Sequence, residues 1–288
     1  MSPEPTSPDA ALRAEVLRWL RCPVCGAGLD AHGRSLRCGA GHTFDLARQG
    51  HVQLTAAPLA HIGDSAAMVA ARGRFLAAGH FDPLTSAVRD AAARAWPGGL
   101  VLDAGAGTGH HTCAVLDALP DAWGIAVDAS KAAARIAARA HPRLAAVVAD
   151  VWRTLPLADD SVGVLIDVFA PRNAAEFARV LRPVGALVIV TPAADHLAEL
   201  ITTLDLLRVD PEKPARLADA FGAGFRVASS RPYRWIMGID HDGVGALVGM
   251  GPSAWHADAD SLAARIATLP DPISVTASVT VTVLRPRL

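Results

Sequence analysis

The 288-residue chain lacks any apolar run approaching the ~18 residues of a membrane span, which argues against a helical membrane protein. Its first ten residues, MSPEPTSPDA, have neither the basic segment nor the apolar core of a secretory signal, so a cytoplasmic location is expected. Lysine is nearly missing: only Lys131 and Lys213 stand among 27 basic residues, which with the abundance of alanine reflects a GC-rich coding sequence more than a function. A disordered composition is excluded by 51% hydrophobic and 19% charged residues. The net charge of −1 provides no overall attraction for nucleic acid. The charge is unevenly spread, however. Residues 11–80 hold eight arginines (Arg13, Arg18, Arg21, Arg34, Arg37, Arg48, Arg72, Arg74) against four acids (Glu15, Asp30, Asp45, Asp64), a local surplus of +4. Such a lobe is either a phosphate-facing surface or a solvated face.

What is present centres on GLVLDAGAGTGHHT, residues 99–112. An apolar run from Leu100 to Leu102 leads into Asp103, Gly105, Gly107 and Gly109 and then into a helix start, the pattern of a buried parallel strand, a tight turn and a helix N-terminus. Glycine at 105 and 107 lets the backbone turn sharply and approach a ligand where a Cβ would intrude. A phosphate-binding loop would carry Gly-Lys-Ser/Thr at the helix start, but His110 and His111 follow Gly109. A dinucleotide fold would show G-x-G-x-x-G, whereas the spacing here is D-x-G-x-G-x-G. That version resembles motif I of the class I S-adenosylmethionine (SAM) methyltransferases.

Near the N-terminus, Cys22 and Cys25 form a C-P-x-C knuckle, and Cys38 and His42 follow as a C-x3-H pair. Two close pairs of thiolate and imidazole ligands suit tetrahedral Zn2+, with the turn around Gly26 and Gly28 freeing backbone amides toward the sulfurs. Only Cys113 is left over, and in a cytoplasmic chain this pattern implies metal rather than disulfides. Because protein would fill all four positions, the zinc is expected to be structural. FDLARQGHVQL then suits a short strand or hairpin closing the small domain, and residues 61–96 read as two helices, the first ended by Gly79 and the second opened near Pro83.

From Pro97 onward, strands and helices alternate. Strands are expected to end at Asp128 and Asp150, a further strand leads to the loop Ala170–Asn173, and a helix follows that stops before Pro183. Ser130 stands as the N-cap of KAAARIAARA. GALVIVTP is the next strand, with a helix from about Ala194 to Leu207, and two β-branched segments near the C-terminus, FRVASSRPYRWIM and ISVTASVTVTVLR, suit an antiparallel edge pair. A short helix and loop lie between them in HDGVGALVGMGPSAWHA. The fold class is therefore α/β, a doubly wound parallel sheet with a small zinc-binding domain before it. The domains are expected at 1–57 (tail and zinc finger), 58–97 (helical linker region) and 98–288 (cofactor-binding domain). In such a sheet ligands lie outside the carboxyl ends of the strands. Asp128 is placed there for ribose hydroxyls, as it would be for NAD, and Asp150 sits where class I methyltransferases often carry an acid near the adenine amino group.

The combination CPVC…CGAGHTFDLARQGHVQL, GD-x3-MV-x-AR-x2-FL-x-AGHFDPL, DAGAGTGHHT, FAPRN, ARVLRP-x-GALVIVTP-x3-HLAEL and MGPSAWHA resembles the 23S rRNA guanine-N1 methyltransferases. Within them it is most similar to the branch that includes tylosin-type macrolide-resistance enzymes. The resemblance runs from about Leu20 to the C-terminus. It implies a zinc-bearing RNA-recognition domain, a SAM-binding domain, a homodimer and, as substrate, a guanine in a 23S rRNA hairpin lining the peptide exit tunnel. Carried across, it places zinc on Cys22, Cys25, Cys38 and His42, and SAM contacts on Phe81, Gly107, Thr108 and His196. Phe81 keeps a ring, not a hydroxyl, where the family's pattern admits tyrosine.

Guanine N1 carries a proton at neutral pH, so methylation there needs the proton removed and the charge on N1 and O6 stabilised. Asp64 is a candidate base and Arg172 a candidate for the O6 charge; Arg21, Arg37 and Arg48 are candidates for RNA phosphates. The loop VFAPRN lacks the leading amide or acid of the (N/D)PP(Y/F) motif, which disfavours an exocyclic amine target. Two other readings remain open at this level: a small-molecule methyltransferase with a structural zinc finger, and a non-catalytic zinc-ribbon RNA-binding protein.

Overall fold

A computed structural model of the chain describes residues 14–59, 63–206, 221–251 and 259–287. Near the N-terminus β1 (Leu29–His32), β2 (Ser35–Cys38) and β3 (Thr43–Asp45) form a three-stranded antiparallel ribbon. His32 pairs with Ser35 across a turn in which Gly33 takes φ +60°, a conformation glycine adopts without cost.

The second sheet has eight strands in the order β10-β11-β9-β8-β5-β6-β7-β4. These are β4 (Val52–Gln53), β5 (Leu100–Ala104), β6 (Gly124–Asp128), β7 (Leu144–Val148), β8 (Val162–Val168), β9 (Leu181–Pro192), β10 (Phe225–Ile239) and β11 (Ile273–Pro286). Pairing is parallel from β4 through β9, and β11 and β10 add antiparallel at the far edge. The helices are α1 (Ala66–Ala77), α2 (Asp82–Ala95), α3 (His110–Ala118), α4 (Lys131–Ala137), α5 (Ala174–Val180), α6 (Ala198–Thr203), α7 (His241–Gly249) and α8 (Ala259–Ile266). The chain leaves the sheet centre in opposite directions after β5 and β8, so the topological switch point, and with it the expected ligand crevice, lies between their carboxyl ends.

Strands covered on both faces read as unbroken apolar runs, and successive side chains divide between two cores. Val101, Val164, Ile166, Val188 and Val190 join Phe75, Leu84 and Val115 on one face. Leu100, Leu102, Leu165, Leu187 and Ile189 join Phe177 on the other. Phe177 is fully buried, and truncating such a ring to alanine costs about 3–5 kcal/mol. The second core continues into the ribbon, taking in Leu20, Cys22, Leu29, Leu36 and Cys38. Backbone bonds fasten the junction: Arg21 N–H donates to the Pro156 carbonyl (2.9 Å) and Ala158 N–H to the Trp19 carbonyl (2.8 Å). Elsewhere Arg143 answers the orphan carbonyls at the end of α3, donating to Leu119 and Ala122 (2.6 Å each) and to Leu116.

Most expected elements form. Ser130 caps α4 by accepting from Ala133 N–H (3.2 Å), Gly79 ends α1 at φ +79°, and the C-terminal β-branched segments pair antiparallel. Several bounds differ. The stretch after the finger forms the expected strand and hairpin, β3 pairing in the ribbon and Leu46 bridging Val52 antiparallel, but its second arm has a further partner. The chain turns back at Ala47–His51 and β4 joins the main sheet beside β7, because Val52 buries itself there. Strand β7 stops at Val148, two residues short of Asp150, which turns to accept from Trp152 N–H. Helix α5 ends at Val180, and Leu181 already pairs with Val162 in the sheet, so that helix is shorter than Pro183 alone implies. Helix α6 begins only at Ala198, and Leu207 lies outside the described residues, as do residues 252–257 of the loop after α7 and the N-terminal tail. Helix α8 was not foreseen. No helix among the described residues is long and apolar enough to cross a membrane.

Candidate functional site

The turn after β5 is built as its glycines require. Gly105, Gly107 and Gly109 have φ of +76°, +55° and +78°. A Cβ on Gly105 would lie 2.5 Å from the Ala170 Cβ, so the turn and the loop after β8 can touch only because residue 105 has no side chain. Asp128, at the end of β6, accepts from Gly107 N–H (2.8 Å) and Ser130 N–H (2.7 Å), tying the turn to the start of α4. Burial raises its pKa, against those two bonds. Its carboxylate keeps lone pairs for a ribose, so Asp128 and the bare turn suit an adenosine-bearing cofactor. Asp103 lies beneath the turn, buried, and accepts from the Thr112 hydroxyl of α3. Burial, with Asp128 nearby, pushes it up to about 7 although the Thr112 bond opposes this. Its place is that of a buttress joining strand to helix. Thr108 is buried in the turn. Asp150 is buried beyond β7, accepts from Trp152 N–H (3.0 Å), and has Arg153 at 3.9 Å.

Across the switch point stands an aromatic group. Phe81 packs edge-on to Phe75 and Trp235, with centroids 5.0 and 6.0 Å away, and lies 6.3 Å from His196. Phe169, the first residue after β8, lies 5.7 Å from His196 on the other side. His196 Nδ1 accepts from Ser278 N–H (3.1 Å), leaving the proton on Nε2, and burial lowers its pKa to about 4. The ring is thus a neutral donor at physiological pH. Phe169 has φ +55°, in the left-handed region that a bulky residue enters only under constraint, yet it is 38% exposed. An outlier of this kind at a strand end beside a cofactor loop suits a platform for a planar ligand.

Arg172 is largely buried and donates through Nε to Asp167 (3.2 Å) and through Nη2 to the Val190 carbonyl (3.4 Å). The Asp167 side chain is wholly buried, and its Oδ2 has no hydrogen-bond partner among the described residues. Burial pushes this carboxyl up to about 8, against the opposing pull of Arg172. Asp64, the expected base, is ion-paired with Arg72 on α1. Neither Arg72 nor Asp167 stood out as a site residue in the sequence. An acid inside the apolar run VGVLIDV was the available signal for Asp167; Arg72 had none beyond its place in MV-x-AR.

In the ribbon, one ligand atom from each of Cys22, Cys25, Cys38 and His42 falls within 4.8 Å of all the others. Cys25 Sγ is 3.7 Å from Cys38 Sγ, and His42 Nδ1 is 3.5 and 3.3 Å from the sulfurs of Cys22 and Cys38. A zinc tetrahedron with bonds of about 2.3 Å has edges of about 3.8 Å, so the donor set fits the ion. Of the arginines singled out for RNA, Arg37 and Arg48 are exposed. Arg21 is half-buried and folds back on the carbonyls of Arg18 and Leu20 (3.0 and 2.8 Å).

Comparison with known proteins adds the following. Residues 20–58 match a family model described as RlmA, N-terminal, a zinc ribbon, and residues 101–185 match a methyltransferase domain. A Streptomyces fradiae protein named 23S rRNA (guanine(748)-N1)-methyltransferase is 50% identical over 96% of this chain and 99% of its own. A Micromonospora griseorubida protein assigned as a 23S rRNA (guanine-N1)-methyltransferase is 52% identical over 96% of this chain and all of its own. A Bacillus subtilis protein given the same assignment is 35% identical over 83% of this chain and 88% of its own.

Two expectations follow. Cys22→Ser removes one ligand of a small lobe with little core of its own, so metal analysis should find stoichiometric zinc lost. Titration calorimetry should find SAM affinity largely kept; an equal loss of both would show that the ribbon and the glycine turn are not separable. The second concerns Asp167. A carboxyl raised in the folded state is a penalty absent below about pH 4 that grows up to the folded pKa of about 8. Asp167→Asn should therefore gain melting temperature relative to the parent progressively between pH 5 and 8; a difference independent of pH would contradict the buried-acid reading.

Proposed function

Because the chain belongs to the 23S rRNA (guanine-N1)-methyltransferase family, we propose that its target is a guanine in a 23S rRNA hairpin lining the peptide exit tunnel, the guanine 748 that the name of the Streptomyces relative gives, and that the methylation contributes to macrolide resistance. The observation that carries this reading is the 50% identity running through nearly the whole of both chains, ribbon included. The site agrees in kind. The loop VFAPRN presents a ring at Phe169 and no amide or acid in the leading position, as suits a ring nitrogen better than an exocyclic amine.

SAM supplies the methyl group when bound, and the residues that would hold it are Gly105, Gly107, Thr108, Asp128, Asp150, Phe81 and His196, with Asp103 beneath the turn. The chain's own task is to orient the base. N1 is inaccessible in a paired or stacked guanine, so the nucleotide must be unstacked, and Phe169 offers it a face beside the cofactor turn. The pair Arg172–Asp167 holds the loop that carries Phe169, with the Arg172 guanidinium available to oppose charge developing on O6. Residues 1–57 take the RNA-recognition role, with Arg37 and Arg48 exposed toward phosphates, and the working unit is a cytoplasmic homodimer.

The test is primer extension on 23S rRNA from a susceptible host lacking the modification, with and without expression of this chain. A stop from methylated N1 is expected at the hairpin guanine, with a rise in macrolide tolerance. A stop elsewhere in the rRNA would reassign the nucleotide, and a stop at the expected guanine with unchanged tolerance would remove the resistance role.

A further inference from the structure

Arg72 and Asp64 form an ion pair directly above the cofactor turn. Arg72 projects from α1, and the position of a Cβ on Gly107 lies 3.2 Å from its Nη1 and 3.4 Å from its Cδ. The guanidinium is held from behind, Nη2 donating to the Met250 carbonyl at the end of α7 (3.1 Å). Asp64 is held as firmly. Its carbonyl accepts from the Ser130 hydroxyl (2.6 Å), and Gly63 lies so close to Ser130 that a Cβ there would meet the backbone nitrogen at 2.4 Å. Both charged groups are near enough to Asp128 to bias its carboxyl in opposite directions, Asp64 raising it and Arg72 lowering it. Each side chain remains about a quarter exposed.

A carboxylate and a guanidinium fixed side by side are the complement of an amino-acid zwitterion. We propose that Arg72 and Asp64 are the receptor for the methionine end of SAM, Arg72 taking the carboxylate and Asp64 the ammonium. The assignment rests on the glycine turn being the cofactor site, and it gives Asp64 a role other than that of general base. Asp128, which accepts from the Gly107 amide beside the pair, would hold the ribose, so that the adenosine and amino-acid ends of the cofactor would each meet a charged group. The closed ion pair keeps two charges mutually compensated before the cofactor arrives.

Binding, not turnover, tests this. Titration calorimetry on the full chain compares S-adenosylhomocysteine, which keeps the zwitterion, with 5′-methylthioadenosine, which lacks it. Arg72→Ala should weaken S-adenosylhomocysteine by about 10- to 100-fold, the scale of one lost charge-assisted bond, while leaving 5′-methylthioadenosine unchanged. Arg72→Lys should recover part of the loss, and Asp64→Asn should weaken S-adenosylhomocysteine alone. Unchanged binding of 5′-methylthioadenosine also reports that the variants are folded. Equal loss of both ligands, or no loss of either, would overturn the zwitterion receptor. Failure of the parent chain to bind S-adenosylhomocysteine would overturn the cofactor reading beneath it.

Discussion

Two loops must close on each other at the middle of the main sheet, and the contact between Gly105 and Ala170 is where they do so. The Ala170 methyl occupies the space that a side chain at 105 would fill. Once that approach is made, the rest of the crevice is determined: Asp128 can reach Gly107 N–H, Arg172 can reach Asp167 beneath the loop, and Phe169 is forced into a left-handed turn with its ring toward His196. A side chain at 105 would push the loops apart and separate the glycine turn from the Phe169 ring.

The same economy joins the ribbon to the catalytic half. Alternate residues of the central strands feed opposite cores, and the core on one face runs on into Leu20, Cys22, Leu36 and Cys38. The zinc cluster and the glycine turn are thereby attached to one sheet, by a shared apolar interior and by the backbone bonds of Trp19 and Arg21 to the segment after β7. A ribbon fixed to the sheet in this way is held at a set distance from the crevice. Proximity of this kind contributes to rate only when the reacting atoms are held in place.

Local features were legible in the sequence because local physics makes them. The glycine turn, the Ser130 cap, the Gly79 stop and the cysteine–histidine spacing each depend on a few consecutive residues. The alternating β-branched segments announced β10 and β11 by their period. What escaped depends on tertiary contact. Arg72 acquires its place from Gly107 and from Met250, 178 residues away, and no spacing rule spans that distance. Asp167 sits in an apolar run whose strand character was plain, but its burial beside Arg172 is a property of the packed sheet. The stretch after the finger returns on itself as its alternation implies, Leu46 bridging Val52 antiparallel, but that Val52 also pairs with β7 depends on the edge that β7 leaves open, which no local pattern announces.

The central claim is chemical: this chain delivers a methyl group to N1 of guanine in ribosomal RNA. Incubation with 23S rRNA and SAM bearing a trideuterated methyl group, followed by digestion to nucleosides and mass analysis, reads the product directly. The account predicts the heavy label in 1-methylguanosine alone, at one per rRNA or fewer. Label in an N2-methylguanosine, a methyladenosine or a ribose-methylated nucleoside, or none in RNA with transfer to a small acceptor, would contradict it.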